Sequence, residues 1–521
     1  MRILYYNWAD YRDAENRGGG VSVYQRNVID GLAQRGGFET AFLSAGLAHD
    51  LHRRKPHVVT LEAGASPRYC MVNSGILAPS HAEFGGAAQL DHPETEAAFA
   101  AFVDKTGPWD VIHFNNLEGL PAHVLALKPR WPNTKFILSL HNYYPICPQV
   151  NLWQSELRHC SDFDGGARCT TCLPAKPEPR SVRVAYAMGW TLSRIGAGPG
   201  TAFYEKLFRP SVGFAWRQLR AVLHARHTRR AAAAPVPPNQ TVTPSTAAAP
   251  HAITSDTIAP QPASRRPAPK APLSEAAAAF GARRRRMVAL INTHCDAVVC
   301  VSDRVRQIAV HYGIDHSIAL TRYIGTREAE QWHHTHPRDS FLRPDGTIHL
   351  AFLGYMRRDK GFYFLMRALN ALPPKIASRV RLTVAARTGD AEAIRLMAEV
   401  APRLASLRHR NGYTHDDLRE LLSDVDVGLV PVQWEDNLPQ VAIEMHSRHI
   451  PLLTSDRGGA QELGACPDLV FKAGDTADFA HVLTRILDGT TTTAMYWSRA
   501  NPPVEMPEHL DALIALYKAA A

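Results

Sequence analysis

Short apolar runs alternate with segments of helical periodicity in both halves of the chain. Strand-length apolar runs occupy 3–6, 40–43, 58–61, 111–114, 135–140, 297–301, 348–353, 381–385, 427–432 and 451–454. Helical spacing follows at 21–35, 303–311, 362–372, 416–422, 439–447 and from 461. Because strands that alternate with helices favour parallel sheets, the pattern predicts an α/β protein. We expect two Rossmann-like, doubly wound domains that face each other across a cleft.

A change in composition interrupts the first half of the chain. Residues 231–272 hold 12 Ala and 10 Pro in 42 positions, with no Phe, Trp or Tyr. Such a segment cannot bury enough apolar surface to offset the entropy of ordering it, so it is predicted to be a disordered Ala/Pro-rich insertion. Around it the pattern predicts an N-terminal domain at 1–325, a C-terminal domain at 326–490 and a helical segment at 491–521.

Composition narrows the class of protein without choosing its function. The 521 residues are 45% hydrophobic and 21% charged, which is typical of globular proteins and excludes collagen-like or mostly disordered chains. The formal net charge of +9 suits phosphate-bearing ligands, anionic lipid or nucleic acid. Nucleic-acid binding is not expected, because the sequence has no base-stacking or groove-reading motif.

The same patterns give an expectation for location. The first apolar run is too short for a signal peptide, and no run of about 18 apolar residues predicts a membrane-spanning helix. We therefore expect a cytoplasmic protein. The basic and aromatic stretch 203–230 adds the hypothesis of peripheral contact with the inner face of the cell membrane. The four arginines at 283–286 are interpreted as a solvated run.

The most informative motif spans 433–444, where a predicted strand is followed by a loop and a helix. Pro439 suits the first helical position, since its missing N–H costs nothing there. Asp436 and Glu444 stand eight residues apart, more than two turns of one helix, so their carboxylates cannot share a proton across one bond. We expect Asp436 in the loop and Glu444 in the helix, each binding hydroxyls of an extended ligand.

Three further strand-to-helix corners carry groups that suit a phosphate. Gly458 and Gly459, and the glycines at 18–20, allow the backbone to approach a ligand closely. Lys360 follows the strand at 348–353 and is a mobile cation suited to a pyrophosphate leaving group.

Together these stretches resemble the retaining family-four glycosyltransferases, which have the GT-B fold and a glycosyl transferases group 1 C-terminal domain. Asp436 and Glu444 resemble the two acids of the family's Glu-x7-Glu motif, with the first acid shortened. The strand that ends in His141 resembles the family's strand ending in His-Asp, with Asn142 in place of the aspartate. Tyr355 stands where the family usually has an arginine.

The resemblance implies a role for each matched residue. Glu444 would bind the nucleotide ribose, Asp436 the pyranose ring of the donor and Lys360 the diphosphate. Arg357 and Arg358 are the candidates for the phosphate contact that Tyr355 does not supply; the alternative is that one phosphate contact is absent. The implied catalytic residues are His141, Asp436 and Lys360, and the implied donor-binding residues are Gly19, Gly20, Arg358, Asn437, Leu438, Pro439, Glu444, Gly458 and Gly459.

The resemblance also implies an activity. A sugar would pass from a nucleotide-diphospho-sugar to the hydroxyl of a carbohydrate or lipid-linked acceptor with retention of configuration, in surface polysaccharide or lipopolysaccharide biosynthesis. Two alternatives stay open. One is a glycoside hydrolase or phosphorylase that uses Asp436 and Glu444 as a carboxylate pair. The other is a non-catalytic nucleotide- or glycan-binding module, which Tyr355 and Asn142 make plausible.

Half of the eight cysteines lie close together in the sequence. They follow the pattern C-x12-C-x8-C-x2-C, formed by Cys147, Cys160, Cys169 and Cys172. The terminal Cys-x2-Cys suits tetrahedral zinc, and the interpretation of a structural zinc stands beside free thiols, an iron–sulfur site and disulfides. No catalytic metal is expected, because Asp424 and Asp426, which imitate a metal-binding Asp-x-Asp, directly precede a buried strand.

Overall fold

The computed structural model describes residues 1–155, 157–173, 177–210 and 274–519. The insertion predicted at 231–272 lies outside these residues, as does 211–230 of the basic aromatic stretch. The described chain divides into a large unit, Met1–Thr191 with Ser274–Ala521, and a second unit, Leu192–Leu273. In the second unit the described residues include a single π-helical turn at Tyr204–Phe208.

The strands agree with the predicted runs and add several short ones. Numbered in chain order, they are β1 (Arg2–Tyr6), β2 (Glu39–Ala48), β3 (His57–Glu62), β4 (Arg68–Val72), β5 (Val111–Phe114), β6 (Lys135–Leu140), β7 (Trp153–Gln154), β8 (Arg158–His159), β9 (Ala297–Cys300), β10 (Ala319–Thr321), β11 (Ile348–Tyr355), β12 (Val380–Arg387), β13 (Ser406–Arg410), β14 (Val427–Val430), β15 (Leu452–Ser455) and β16 (Val470–Phe471). The sequence pattern missed β13 because its residues, Ser-Leu-Arg-His-Arg, contain no apolar run.

Two sheets form the two lobes of the large unit. The first lobe holds eight strands in the order β10-β9-β6-β5-β1-β2-β4-β3, which are parallel except for β3 against β4. The second holds six parallel strands in the order β13-β12-β11-β14-β15-β16. That is the strand order of a Rossmann domain. Successive strands are added on one side of β11 up to β13 and on its other side from β14 onward, so the topological switch point lies between β11 and β14. A ligand crevice is therefore expected at the carboxyl ends of these two strands.

Helices connect the strands and cover both faces of each sheet, so central strands such as β5, β9 and β14 are buried along their full length. The α-helices are Gly19–Arg35, Pro93–Thr106, Pro179–Arg194, Glu275–His294, Asp303–His311, Phe362–Ala371, Pro374–Ala377, Ala391–Val400, Leu418–Leu422, Gln440–His446, Gln461–Gly464, Thr476–Leu487, Thr493–Trp497 and Met506–Lys518. Within the described residues, none of the helices combines the length and the apolarity that crossing a bilayer requires.

In the arginine run at 283–286, Arg285 and Arg286 are exposed, as predicted, but the other two arginines are buried. The run lies in the helix Glu275–His294, where Arg283 and Arg284 are only 3% and 8% exposed. The Arg283 guanidinium donates to the Tyr144 carbonyl at 3.1 Å and lies over the Tyr144 ring. These contacts were invisible in the sequence because their partners are about 140 residues away.

The C-terminal helix Met506–Lys518 returns to the first lobe, although it follows the second lobe in the chain. Tyr517 bonds through its hydroxyl to Nδ1 of His113 at 2.6 Å, and His509 Nε2 bonds to the Tyr24 hydroxyl at 2.9 Å. Leu513 is fully buried in the same contact. The last helix therefore packs against the first lobe, including the helix Gly19–Arg35.

Leu513→Ala should lower the free energy of unfolding by about 2–5 kcal/mol, because it removes a fully buried side chain and leaves a cavity. Urea unfolding of the whole protein measures this loss. The exposed Glu508→Gln in the same helix is the control and should change stability by less than about 0.5 kcal/mol. Equal midpoints for the two variants would contradict the packing of this helix.

Candidate active site

One cleft of about 680 Å³ lies where the carboxyl ends of strands from both lobes meet. The first lobe contributes the start of the helix Gly19–Arg35 and the residues that follow β6 and β9. The second lobe contributes the ends of β11 and β14 and the segments after them. Of the predicted site residues, the lining contains Gly19, Gly20, His141, Lys360, Asp436, Asn437, Leu438, Pro439 and Glu444.

Lys360 reaches the cleft from the loop after β11. Its Nζ lies 2.6 Å from Oδ2 of Asp436 and 5.1 Å from the centre of the Trp434 ring. This loop packs closely against the segment that follows β14. A Cβ on Gly361 would lie only 1.7 Å from the Pro431 carbonyl oxygen, so the close approach requires glycine. Lys360 and Asp436, which are 76 residues apart in the sequence, are therefore direct partners.

Glu444 lies in the helix Gln440–His446, with its side chain 7% exposed. The helix begins one residue later than predicted, since Pro439 takes the N-cap position with an extended backbone. The Tyr413 hydroxyl lies 3.5 Å from Glu444 Oε2, and His415 Nε2 lies 3.3 Å from Oε1. The hydrogen bond that His415 donates to the Glu444 carboxylate raises the pKa of His415 above its ordinary value.

Hydrogen bonds to neighbouring segments hold the loop that carries Asp436 and Asn437 in position. Gly459 N–H donates to the Asp436 carbonyl at 2.9 Å, and the Ser302 hydroxyl donates to the Asn437 carbonyl at 2.7 Å. The Asn437 side-chain amide donates to the Leu140 carbonyl at 3.3 Å. Two of these contacts come from the first lobe, so both lobes position the loop.

Glu435 is the centre of a buried charge cluster next to the loop that carries Asp436. Its residue is 1% exposed, and its carboxylate accepts two hydrogen bonds from Arg304 at 2.8 and 2.7 Å. Arg457 and the Gly458 N–H also donate to it, at 3.2 and 3.0 Å. Although burial opposes ionisation, the Arg304 guanidinium and the Gly458 N–H lower the pKa of Glu435, so the group is a carboxylate at neutral pH.

His141 enters the cleft at the end of β6. Burial lowers its pKa to about 3, with a smaller contribution from His509, so the imidazole is neutral at neutral pH. Its Nε2 donates to the Asn115 side-chain carbonyl at 3.2 Å, which leaves Nδ1 as an acceptor. The Tyr24 ring, 4.9 Å away, packs against the imidazole.

The helix Gly19–Arg35 begins at the cleft. No side chain caps its N-terminal end, and Gly19, Gly20 and Val21 line the cleft, so the positive end of its dipole lies at the cleft. The Gly19 and Val21 N–H groups donate to the Asn16 and Gly18 carbonyls at 3.0 and 3.2 Å. Gln440 of the second lobe donates through Nε2 to the Gly20 carbonyl at 3.2 Å.

Three of the predicted catalytic and donor-binding residues lie outside the cleft lining. The Arg358 guanidinium pairs with Glu392 at 2.5 Å and lies over the Tyr363 ring. Gly458 and Gly459 support the loop at 435–437 from behind. The cleft also contains Tyr24, Trp434, Tyr413 and His415, which the sequence reasoning missed. Tyr413 and His415 follow β13, and without that strand nothing in the sequence marked them.

The acidic pair before β14 has structural partners. Asp426 pairs with Arg338 and Arg343, and Asp424 pairs with Arg343 at 2.7 Å. Within the described residues, one group of three His, Cys, Asp or Glu ligand atoms lies within 4.8 Å, and it consists of Asp91, Glu96 and His123 on the first lobe. None of these three residues lines the cleft.

Residues 347–489 match the family model described as Glycosyl transferases group 1. This match lies in the second lobe. No curated protein sequence matches the chain. Among solved structures, the chain is similar to sucrose-phosphate synthase from Thermosynechococcus elongatus, with 14% identity, 99% of this chain and 98% of that chain covered, and a TM-score of 0.53.

The chain is also similar to α,α-trehalose-phosphate synthase (UDP-forming) from Burkholderia vietnamiensis, with 13% identity, all of both chains covered, and a TM-score of 0.51. At this identity the likeness shows the fold alone. The fold is GT-B, which confirms the fold class predicted from the strand and helix pattern.

Gly458→Ala should displace the Asp436 loop, and Gly489→Ala provides a matched control. Both glycines have positive φ, +72° and +80°, so each substitution costs about 1–2 kcal/mol of backbone strain. Only the Gly458 Cβ would also lie 2.1 Å from the Asp436 carbonyl oxygen. Urea unfolding should show a larger loss for Gly458→Ala, with faster amide exchange at 433–440; equal losses would contradict this role.

The His415–Glu444 contact should make stability depend on pH. Because the folded-state pKa of His415 is raised, its contribution is complete below the unfolded pKa of about 6.5 and is lost as pH rises through the folded-state value. The stability advantage of the wild type over His415→Asn should therefore shrink with rising pH. It should stay below about 1 kcal/mol, because His415 is half exposed.

Thermal unfolding between about pH 5.5 and 8.5 measures this advantage across the titration range of histidine. The exposed His481→Asn serves as the control. A wild-type advantage that grows with pH would rule out the assigned ion pair.

Proposed function

We propose that this protein is a retaining glycosyltransferase that moves a sugar from a nucleotide-diphospho-sugar to an acceptor hydroxyl. The observation that carries the proposal is the single cleft in which Lys360, Asp436, Glu444 and His141 converge from the two lobes. The glycosyltransferase group 1 domain at 347–489 supports assignment of the donor to the second lobe. The acceptor then belongs to the first lobe.

The cleft offers positive charge for a departing diphosphate. Lys360 supplies a mobile cation, and the helix that begins at Gly19 directs the positive end of its dipole to the same space. In the proposed reaction the bond between the anomeric carbon and the diphosphate oxygen breaks, and the electron pair leaves with the diphosphate. Charge that is already in position stabilises this group without reorganisation of solvent.

Glu444 and Asp436 are assigned to hydroxyls of the donor. An ionised carboxylate only accepts hydrogen bonds, and its two oxygens suit two adjacent hydroxyls such as those of a ribose. Glu444 is close to Tyr413 and His415, which line the cleft beside it. Asp436, which is paired with Lys360, is assigned to the sugar next to the diphosphate. Nucleotide and sugar would thus lie along the second lobe.

His141 is assigned to a sugar hydroxyl rather than to proton transfer. An imidazole with a pKa of about 3 is not protonated at neutral pH, so it cannot serve as a general acid there. We propose that the departing diphosphate accepts the proton of the acceptor hydroxyl on the same face of the sugar. That route gives retention of configuration.

A hydrolase that uses Asp436 and Glu444 as a pair is less well supported. Asp436 is paired with Lys360, and Glu444 with His415, and the two carboxylates have no common partner among the described residues. Release of free sugar without an acceptor would favour that alternative. Tight binding of a nucleotide sugar without any turnover would favour the binding module.

The setting of the reaction remains part of the proposal. The sequence resemblance supports a carbohydrate or lipid-linked acceptor in surface polysaccharide or lipopolysaccharide biosynthesis, at the cytoplasmic face of the membrane. The net charge of +9 suits contact with anionic lipid or phosphate-bearing acceptors.

Lys360→Ala and Glu444→Gln should each lower glycosyl transfer by about 100-fold or more while the protein stays folded, because each removes a group that the donor needs. The assay follows nucleoside diphosphate release from a panel of nucleotide sugars. It starts with UDP-sugars because one structural relative is named as UDP-forming. Proton NMR of the product reports its anomeric configuration.

The exposed Lys375→Ala is the control for loss of a positive charge and should retain activity. Circular dichroism and thermal unfolding check the fold of every variant. Near-normal turnover in both site variants would overturn the assignment, and an inverted product would overturn retention.

A further inference from the structure

The four clustered cysteines lie in a long segment between β6 and the helix Pro179–Arg194. Its regular structure consists of the two-residue strands β7 and β8 and a 3₁₀ segment at Asp164–Thr171. Connections of this length with so little regular structure are uncommon in compact domains and usually have a function. The cysteines are only 7–8% exposed, and none of them forms a disulfide with a described residue; they are Cys147, Cys160, Cys169 and Cys172.

A buried arginine lies beside these thiols. Arg284 is 8% exposed, lies 3.4 Å from the centre of the Phe163 ring, and donates through Nε to the Ile146 carbonyl at 2.7 Å. No carboxylate of a described residue lies within 4 Å of its nitrogens. Ile146 is next to Cys147 in the sequence, and Phe163 lies between Cys160 and Cys169, so the guanidinium lies among the segments that carry these cysteines. A buried cation without an opposite charge is costly, so this environment calls for a negative group.

We propose that Cys147, Cys160, Cys169 and Cys172 bind one zinc ion as four thiolates, with Arg284 as the buried counter-charge. Binding breaks four S–H bonds, releases four protons to solvent and forms four Zn–S bonds. The resulting centre carries a net charge of two minus, which the guanidinium partly balances. No redox step is involved.

Zinc binding would contract the loop. In the structure the four sulfurs do not include three that lie within 4.8 Å of one another. A tetrahedral site with Zn–S bonds of about 2.3 Å brings the sulfurs to about 3.8 Å. Cys172 Sγ now donates to the Gln149 side-chain carbonyl at 2.9 Å, a hydrogen bond that the thiolate would give up.

The site matters because the same segment reaches the junction of the lobes. His159, one residue before Cys160, places Nε2 3.8 Å from Glu435, the residue next to Asp436. Tyr143, four residues before Cys147, is fully buried. Zinc bound by the four cysteines would hold residues 143–172 of the first lobe in place against the loop that carries Glu435 and Asp436. This role is structural and does not depend on the proposed glycosyl transfer.

The decisive measurement is the metal content of the full-length protein, purified without chelators from zinc-supplemented medium. We expect one zinc per chain by elemental analysis, and four cysteines that resist alkylation until a chelator is added. The double variant Cys169→Ser/Cys172→Ser should lose the zinc, whereas Cys466→Ser, a buried cysteine of the second lobe, should retain it.

Arg284→Met tests the counter-charge separately. Zinc transfer to a chromophoric chelator should be at least about tenfold faster than in the wild type, and Arg284→Lys should restore part of the retention. Wild-type protein without zinc would overturn the proposal, whether mass spectrometry finds disulfides, visible absorption finds an iron–sulfur cluster, or all four thiols alkylate freely. This result stands even if the variants do not fold.

Discussion

A carboxylate buried between two lobes is stable only when opposite charges and donors surround it, and Glu435 meets this condition. Arg304 from the first lobe, Arg457 and the Gly458 N–H complete its shell. Glu462 repeats the arrangement, since its oxygens accept from the N–H groups of Asp303 and Arg304 at 2.9 and 2.7 Å. The start of one first-lobe helix is therefore held by acids of the second lobe, and this junction defines the cleft.

The chemistry of the cleft follows from that junction. The residues next to Glu435 are Asp436 and Asn437, so any change in how the lobes meet moves the groups assigned to the donor. Lys360 is bound to the same loop through Asp436. A ligand that competes for either partner would act on the junction as well, and binding would be coupled to the relative position of the lobes.

The C-terminal helix Met506–Lys518 packs against the first lobe and supports the candidate site residue His141. His509 bonds to Tyr24, and Tyr24 packs against His141. A residue twelve positions from the end of the chain therefore lies behind a candidate site residue. Burial in this aromatic group is what keeps the His141 imidazole neutral, so its role as an acceptor depends on a helix that follows the other lobe in sequence.

The sequence alone determined the alternation of strands and helices and the two-lobed fold, because these depend on local hydrophobic period and turn residues. For the same reason it placed His141, Lys360 and Asp436 after strands and Glu444 in the helix that follows. It did not reveal β13, whose edge position requires no apolar run, nor the burial of Arg283 and Arg284. The pairing of Lys360 with Asp436, the shell of Glu435, and the support role of Gly458 and Gly459 were decided by tertiary structure. The physical reason is that a charge or a close backbone contact is defined by its partner, and these partners come from distant parts of the chain.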